Sequence, residues 1–518
     1  MRPWPPELAV RVAWFAIAAG FLVRAYLSAT NFLNADEVLH LLKIEGPGWA
    51  GAMQVAGHGH PPFHLLAVNA TLTLFGRSEF SLRLPSLLAG GILIWLAYRW
   101  MSAVAGRTAG AVAAIVFAAL HAAIVLAAEV RDYSIALCFA AASLFAFERA
   151  VRQDRRYWLV LSGVFAGLML FTEFVMAIFA VALGLYALAR LASLGFPRRI
   201  AGFWAAGQAL AGVTGVAIYF AYLYRTGAGG GVGRGMRGGY LRHWFLQPGG
   251  SFPDFAWRNT VEFFSYSFGS HPAGWIALAL FAAGCWLAWQ RDRPLLVLLL
   301  APFVLGIGAA SAGVLPYGGS RHTAYGILSA AAGVCLPLAG IARWRPKPFL
   351  AGAAALGSLL YATASYDSWF IPRPNQRVSM IRDAIAYLRE SVPPEGVVFV
   401  TGQGWQTLGY YLGPDPNLTI AEMAGLPVTY RSNLAVASLF NWSPSPSTFL
   451  SAYGEWRRKM PKDTQVWVFD AGWDTNLATG IRRDYPQLNL VGLRMFGTHV
   501  SVFRAPNVSV QAQPPAGR

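Results

Sequence analysis

Residues 157–191, "YWLVLSGVFAGLMLFTEFVMAIFAVALGLYALARL", set on which side of a membrane every later segment lies. The stretch is mostly apolar, with Ser162 and Arg190 towards its ends and a polar pair, Thr172 and Glu173, near its middle. As one helix of ~35 residues it would overshoot a bilayer, whose core needs about 17–25 helical residues. It therefore reads as two short spans that turn at the polar pair, with Glu173 at the outer surface. The basic residues support this split. With it, one set of loops holds Arg107, then Arg149, Arg152, Arg155 and Arg156, then Arg198 and Arg199, then Arg291 and Arg293, then Arg343, Arg345 and Lys347. That is a consistent positive-inside pattern. Without the split, the later clusters change sides.

Working outward, the composition agrees with a polytopic membrane protein. Of 518 residues 56% are hydrophobic and 13% charged, and the mean hydropathy is +0.44. A soluble domain would carry about twice that charged fraction. The net charge of +17 comes from 41 Lys and Arg against 24 Asp and Glu. These basic residues punctuate apolar runs, which fits topology signals and anionic membrane lipids, not nucleic acid. Cys138, Cys285 and Cys335 lie inside apolar runs and offer neither a disulfide framework nor a CxxC metal site. The first apolar run lacks a small-residue cleavage site, so no cleavable signal is expected.

Apolar runs cover residues 8–28, 84–101, 108–127, 133–147, the divided 157–191, 200–222, 273–289, 294–312, 324–341 and 349–366. The expected architecture is mainly α, with eleven transmembrane helices. The N-terminus is then cytoplasmic and the C-terminus outside. Residues 1–366 form the membrane domain and 367–518 a small outer-face α/β domain. Two large outer segments interrupt the membrane domain. The first, 29–83, contains an apolar stretch, 63–75, too short to span and read as an interfacial helix. The second, 223–271, opens on the Gly- and Arg-rich "RTGAGGGVGRGMRGGY", expected to be a mobile loop. It is no P-loop, since it lacks GK[ST] and a preceding strand. In the tail, "MIRDAIAYLRE" and "WQTLGYYLG" read as helices, "GVVFVTG" and "TQVWVFDA" as strands, and "LNLVGLRMFGTHVSVFRA" as a terminal hairpin. The final "QAQPPAGR" reads as disordered.

On this topology the unusual polar residues share one membrane depth. Asp36 and Glu37, in "NADEVLH", follow the first span. His58 and His60 lie in "GHGHPPFH". Glu129, Arg131 and Tyr133 fall in "AEVRDY", and Arg321 and His322 in "PYGGSRH". A carboxylate can accept a proton from a hydroxyl nucleophile. Arginine and histidine can stabilise a departing phosphate. Together they are sufficient for glycosyl transfer from a lipid-phosphate sugar. Each group also has a plainer reading. Asp36 serves equally as a helix cap, Glu129 and Arg131 as an ion pair at a helix end, Arg321 and His322 as interfacial anchors. Asp36 and Glu37 point ~100° apart on a helix and so do not both face one substrate. His40, His58, His60 and His64 follow no recognised metal-ligand spacing. The chemistry requires no cofactor, and a divalent metal stays open.

These motifs, together with "HGHPPFHLLAVNATLTLFGRSEFSLRLPSLLAG", resemble the bacterial GT-C glycosyltransferases of the protein-mannosyltransferase-like class. That class is similar to lipid A aminoarabinose transferases and rhizobial lipopolysaccharide sugar transferases. The resemblance runs in order over residues 8–341 and is looser in the tail. It implies a polyprenyl-phosphate-sugar donor, an envelope glycan, lipid or protein acceptor, and inverting transfer on the outer face of the inner membrane. It implies catalytic roles for Asp36, with Glu37 beside it, and for Glu129. Arg131, Tyr133, Arg321, His322, His58 and His60 would hold the donor phosphate or sugar. Where aminoarabinose transferases carry Lys before their Pro-Pro, this chain has His60, which leaves the sugar and acceptor open. The competing reading is a flippase or transporter of lipid-linked saccharides, which would place polar groups near mid-membrane. An envelope assembly protein with anchoring spans would leave the outer charges without a role.

Overall fold

The computed structural model describes residues 4–44, 61–153, 155–196, 198–224, 239, 241–353, 377–413, 419–423, 426–431, 433–438, 444–471, 477–497 and 500–506. The chain divides into two units, one of residues 1–29 and 43–368, the other of 30–42 and 369–518. The first outer segment is thus shared out, with Thr30–Leu42 grouped with the tail.

The first unit is helical: α1 Pro6–Thr30, α3 Pro62–Phe75, α4 Glu79–Ala105, α5 Arg107–Ala119, α6 His121–Ala127, α7 Tyr133–Gln153, α8 Tyr157–Leu170, α9 Ala177–Ser193, α10 Arg198–Ile218, α11 Phe252–Phe268, α12 His271–Arg291, α13 Arg293–Ser311 and α14 Ile327–Trp344. Helix α2, Ala35–Ile44, lies mostly in the second unit. Among the described residues eight helices are long and apolar enough to span a membrane, or nine if a bent pair counts as one. The chain is a multi-pass membrane protein. Eleven spans are not reached there: α8 has only 14 residues, and run 349–366 falls mostly outside the described residues.

The divided block breaks at the expected place. Helix α8 ends at Leu170, and a 3₁₀ turn, Phe174–Met176, leads into α9. Run 108–127, expected as one span, is instead two helices, α5 and α6, bent by 61°. Leu120 between them is extended, at φ −66° and ψ 112°. The break leaves carbonyls without helical partners. The buried Arg24 of α1 takes them: its guanidinium donates to Phe117 O at 2.7 Å, Ala118 O at 3.1 Å and Gly20 O at 2.9 Å. Arg83 of α4 does the same at the end of α1, donating to Ser28 O at 3.1 Å.

A buried polar network joins α7, α9 and α13. Glu148 is 1% exposed and accepts from the Tyr186 hydroxyl. Arg190 lies 3.3 Å from Glu148 and grips Asp292 through two bonds of 2.8 Å. Removing Arg190 would take this cation from Asp292 and leave Glu148 with Arg152, 3.2 Å away. Arg190→Met is expected to cost about 3 kcal/mol, measured as a fall of several degrees in Tm in detergent. An unchanged Tm would show that the network contributes nothing to stability.

In the second unit seven strands among the described residues form one sheet, ordered β2-β3-β4-β1-β5-β7-β6. They are β1 Val397–Val400, β2 Thr419–Met423, β3 Leu426–Arg431, β4 Leu434–Ser438, β5 Val466–Ala471, β6 Arg494–Met495 and β7 Val500–Arg504. The central strands β4, β1 and β5 are parallel, and the outer pairs antiparallel. Strand residues alternate between faces. Val397 and Phe399 pack with Phe449, Tyr453 and Trp456 of α17, Pro446–Arg458. Val398 and Val400 pack with Ile381, Ile385 and Leu388 of α15, Val378–Ser391, and with Leu408 and Leu412 of α16, Gly402–Leu412. Helix α18, Leu477–Asp484, completes the first of these faces. The expected terminal hairpin is β6–β7. The "QAQPPAGR" tail lies outside the described residues.

Candidate active site

Asp36 and Glu37 begin α2 and take different roles. The cap is Asn34. Its side-chain oxygen accepts from Glu37 N at 3.0 Å, and the Glu37 carboxylate accepts from Asn34 N at 3.0 Å. This is a reciprocal capping box. Glu37 is fully buried in that work. Asp36 is not the cap, and it is half-buried. His58 and His60 lie outside the described residues, as does the Gly-rich opening of 223–271 apart from Gly239. The rest of that segment is not a loop throughout, since α11 occupies Phe252–Phe268.

In the first unit the 128–132 turn carries Glu129, Arg131 and Asp132, exposed by 1%, 6% and 2%. The turn is fixed from α4, where the Ser86 hydroxyl donates to Arg131 O at 2.7 Å. The second group stands on the turn before α14. Thr323 Oγ1 donates within this turn, 2.7 Å from Gly318 O and 2.6 Å from Ser320 O. Gly318 has φ +153°, and a Cβ there would enter the Trp244 ring. The two groups meet, although 189 residues separate them. The Tyr133 hydroxyl and His322 Nδ1 are 3.0 Å apart. Arg321, Arg131, Asp132 and Glu173 all act electrostatically on Tyr133. Buried Tyr266 of α11 feels both Glu129 and Arg321; burial, then the Glu129 charge, pushes its hydroxyl up.

Three members of this cluster were not singled out in the sequence as site residues: Asp132, Glu173 and Tyr266. Glu173 accepts from Val175 N at 3.1 Å and is hydrogen-bonded to Asp132. Two carboxyls can bond only if one keeps its proton. Burial, then the Asp132 carboxylate, holds Glu173 well above the usual carboxylate range. The folded state therefore keeps a proton that the unfolded chain releases above a pH of about 4. Stability is lost as pH rises from there through the folded value. Glu173→Gln reproduces the neutral form. It is expected to remove that decline while keeping the native Tm at low pH, read from melting curves across pH. Parallel pH profiles for both proteins would contradict a protonated Glu173. Among the described residues no group of three or more His, Cys, Asp or Glu side chains could hold a metal.

Residues 59–221 match the model of the family described as dolichyl-phosphate-mannose-protein mannosyltransferase. That span carries Glu129–Tyr133 and Glu173. No curated protein matches the chain by sequence. Two solved structures of ArnT from Cupriavidus metallidurans superpose over nearly the whole length. The apo form has a TM-score of 0.53 at 14% identity, covering 96% of this chain and 98% of that one. The form bound to undecaprenyl phosphate has a TM-score of 0.51 at 16% identity, covering 98% and 99%. The chain has the fold of these ArnT structures along nearly its whole length. Both units have a counterpart there, since the match covers the helical part and the sheet alike.

Proposed function

We propose that the chain is an inverting glycosyltransferase that moves a sugar from a polyprenyl-phosphate donor to an envelope glycan, lipid or protein on the outer face of a bacterial inner membrane. The Tyr133–His322 meeting carries this reading, because it gathers Glu129, Arg131 and Arg321 into one buried cluster of mixed charge. In the transfer, an acceptor hydroxyl attacks the anomeric carbon as the bond to phosphate oxygen breaks. Asp36 takes the hydroxyl proton. The lipid phosphate leaves as a stable anion and needs no strong general acid. Arg131, Arg321 and His322 stabilise its charge, and Glu129 orients the acceptor.

A flippase would need polar backbone open to substrate at mid-membrane. The one bent pair found among the described helices offers little of this, because Arg24 closes its carbonyls. The test supplies the purified protein, in proteoliposomes, with radiolabelled polyprenyl-phosphate sugars and envelope extract. Label reaching an acceptor from one donor supports the reading and names the sugar. Absence of transfer from every donor contradicts it.

A further inference from the structure

Asp36 stands at the start of α2, so its direction depends on how the preceding residues are held. The second unit holds them. Phe32 is 2% exposed and packs in the sheet's core with Ile385, Leu408 and Phe496. Leu33, fully buried, is gripped at both ends of its backbone. Its N–H donates to the Tyr411 hydroxyl at 3.0 Å, and its carbonyl accepts from Thr407 Oγ1 at 3.4 Å. Tyr411 and Thr407 stand on one face of α16, one turn apart. Asn31 forms an antiparallel bridge with Arg377, just before α15. Asn34 then caps α2. Side-chain burial alone would tether this segment. One bond to the peptide unit on each side of Leu33 also fixes its rotation about the chain axis, and with it the start of α2.

Building on the proposed transfer reaction, we infer that Tyr411 and Thr407 are positioning residues. Through Leu33 they aim the carboxylate of Asp36, and holding this base is a task of the C-terminal α/β unit. A helix end that rotates by a few tens of degrees moves a side-chain oxygen by more than an ångström, enough to lose a proton-transfer geometry.

The experiment compares the native chain with Tyr411→Phe and Thr407→Val. Hydrogen exchange of residues 31–40 is expected to rise in both variants, while the sheet core keeps its protection. In the transfer assay kcat is expected to fall about ten-fold, with KM for the donor unchanged. In an Asp36→Glu background, where the carboxylate is already displaced, the further loss from Tyr411→Phe should shrink below about two-fold. Unchanged exchange at 31–40 overturns the anchor. A full ten-fold loss in the Asp36→Glu background overturns its action through Asp36. Raised exchange together with a native protein that transfers no sugar would leave the anchor standing and overturn both the transfer reading and the positioning role.

Discussion

Asp36→Asn is expected to lower turnover by about 10³-fold, within the range a general base contributes, while leaving Tm and donor binding at native values. The fold should tolerate the change because the helix start is secured by other residues. Asn34 and Glu37 close the capping box between themselves, and Leu33 is tied to α16. Asparagine has the same shape as aspartate but cannot take the acceptor's proton. Glu37→Gln makes the informative contrast. Its amide oxygen can still accept from Asn34 N, so the cap survives and turnover should stay within a few-fold of native. The reverse pattern, with loss at Glu37 and none at Asp36, would move the base to the neighbouring residue and undo the assignment made from the cap.

Arg321→Gln is expected to lower kcat/KM by about 10²–10³-fold, the loss typical when one donor to a developing anion is removed. Arg321 is 4% exposed. Its turn is tied by Thr323 to Gly318 and Ser320, and Tyr133 and Tyr266 both feel its charge. A fixed, buried guanidinium presents a planar pair of donors that matches a phosphate. Arg321→Lys keeps the charge but not that geometry and should recover only part of the loss. Added undecaprenyl phosphate should raise the native Tm more than that of Arg321→Gln. Equal shifts in both proteins would place the phosphate elsewhere.

The sequence exposes the fold where polarity interrupts hydrophobicity. Thr172 and Glu173 stand out in an apolar run, so the break between α8 and α9 is legible. The bend at Leu120 is not, because "FAALHAA" contains neither Pro nor Gly. The group that satisfies its carbonyls is Arg24, nearly a hundred residues earlier. Strands β2, β3 and β4 are not legible, because "TIAEM", "LPVTYR" and "LAVAS" lack the unbroken Val- and aromatic-rich run that marks β1 and β5. In the site, Glu129, Arg131, Arg321 and His322 announce themselves as charges at helix ends between apolar runs. Asp132 is masked by its neighbours, and Glu173 reads as a loop marker. Tyr266 lies in a segment that its Gly-rich opening makes look like a loop throughout. The role of Glu37 follows from "NADE", an Asn followed three residues later by Glu, which is a capping signature.

Sugar transfer with Asp36 as the base makes a specific demand on where a labelled sugar ends. The most direct measurement follows one labelled polyprenyl-phosphate sugar in proteoliposomes containing either native protein or Asp36→Asn, with acceptor outside. Label is counted in the acceptor and in donor lipid on each leaflet. Such transfer requires label in the acceptor with native protein only, joined with inverted anomeric configuration, and no label moved between leaflets by either protein. Donor lipid crossing the bilayer equally in both, with the acceptor unlabelled, would contradict it.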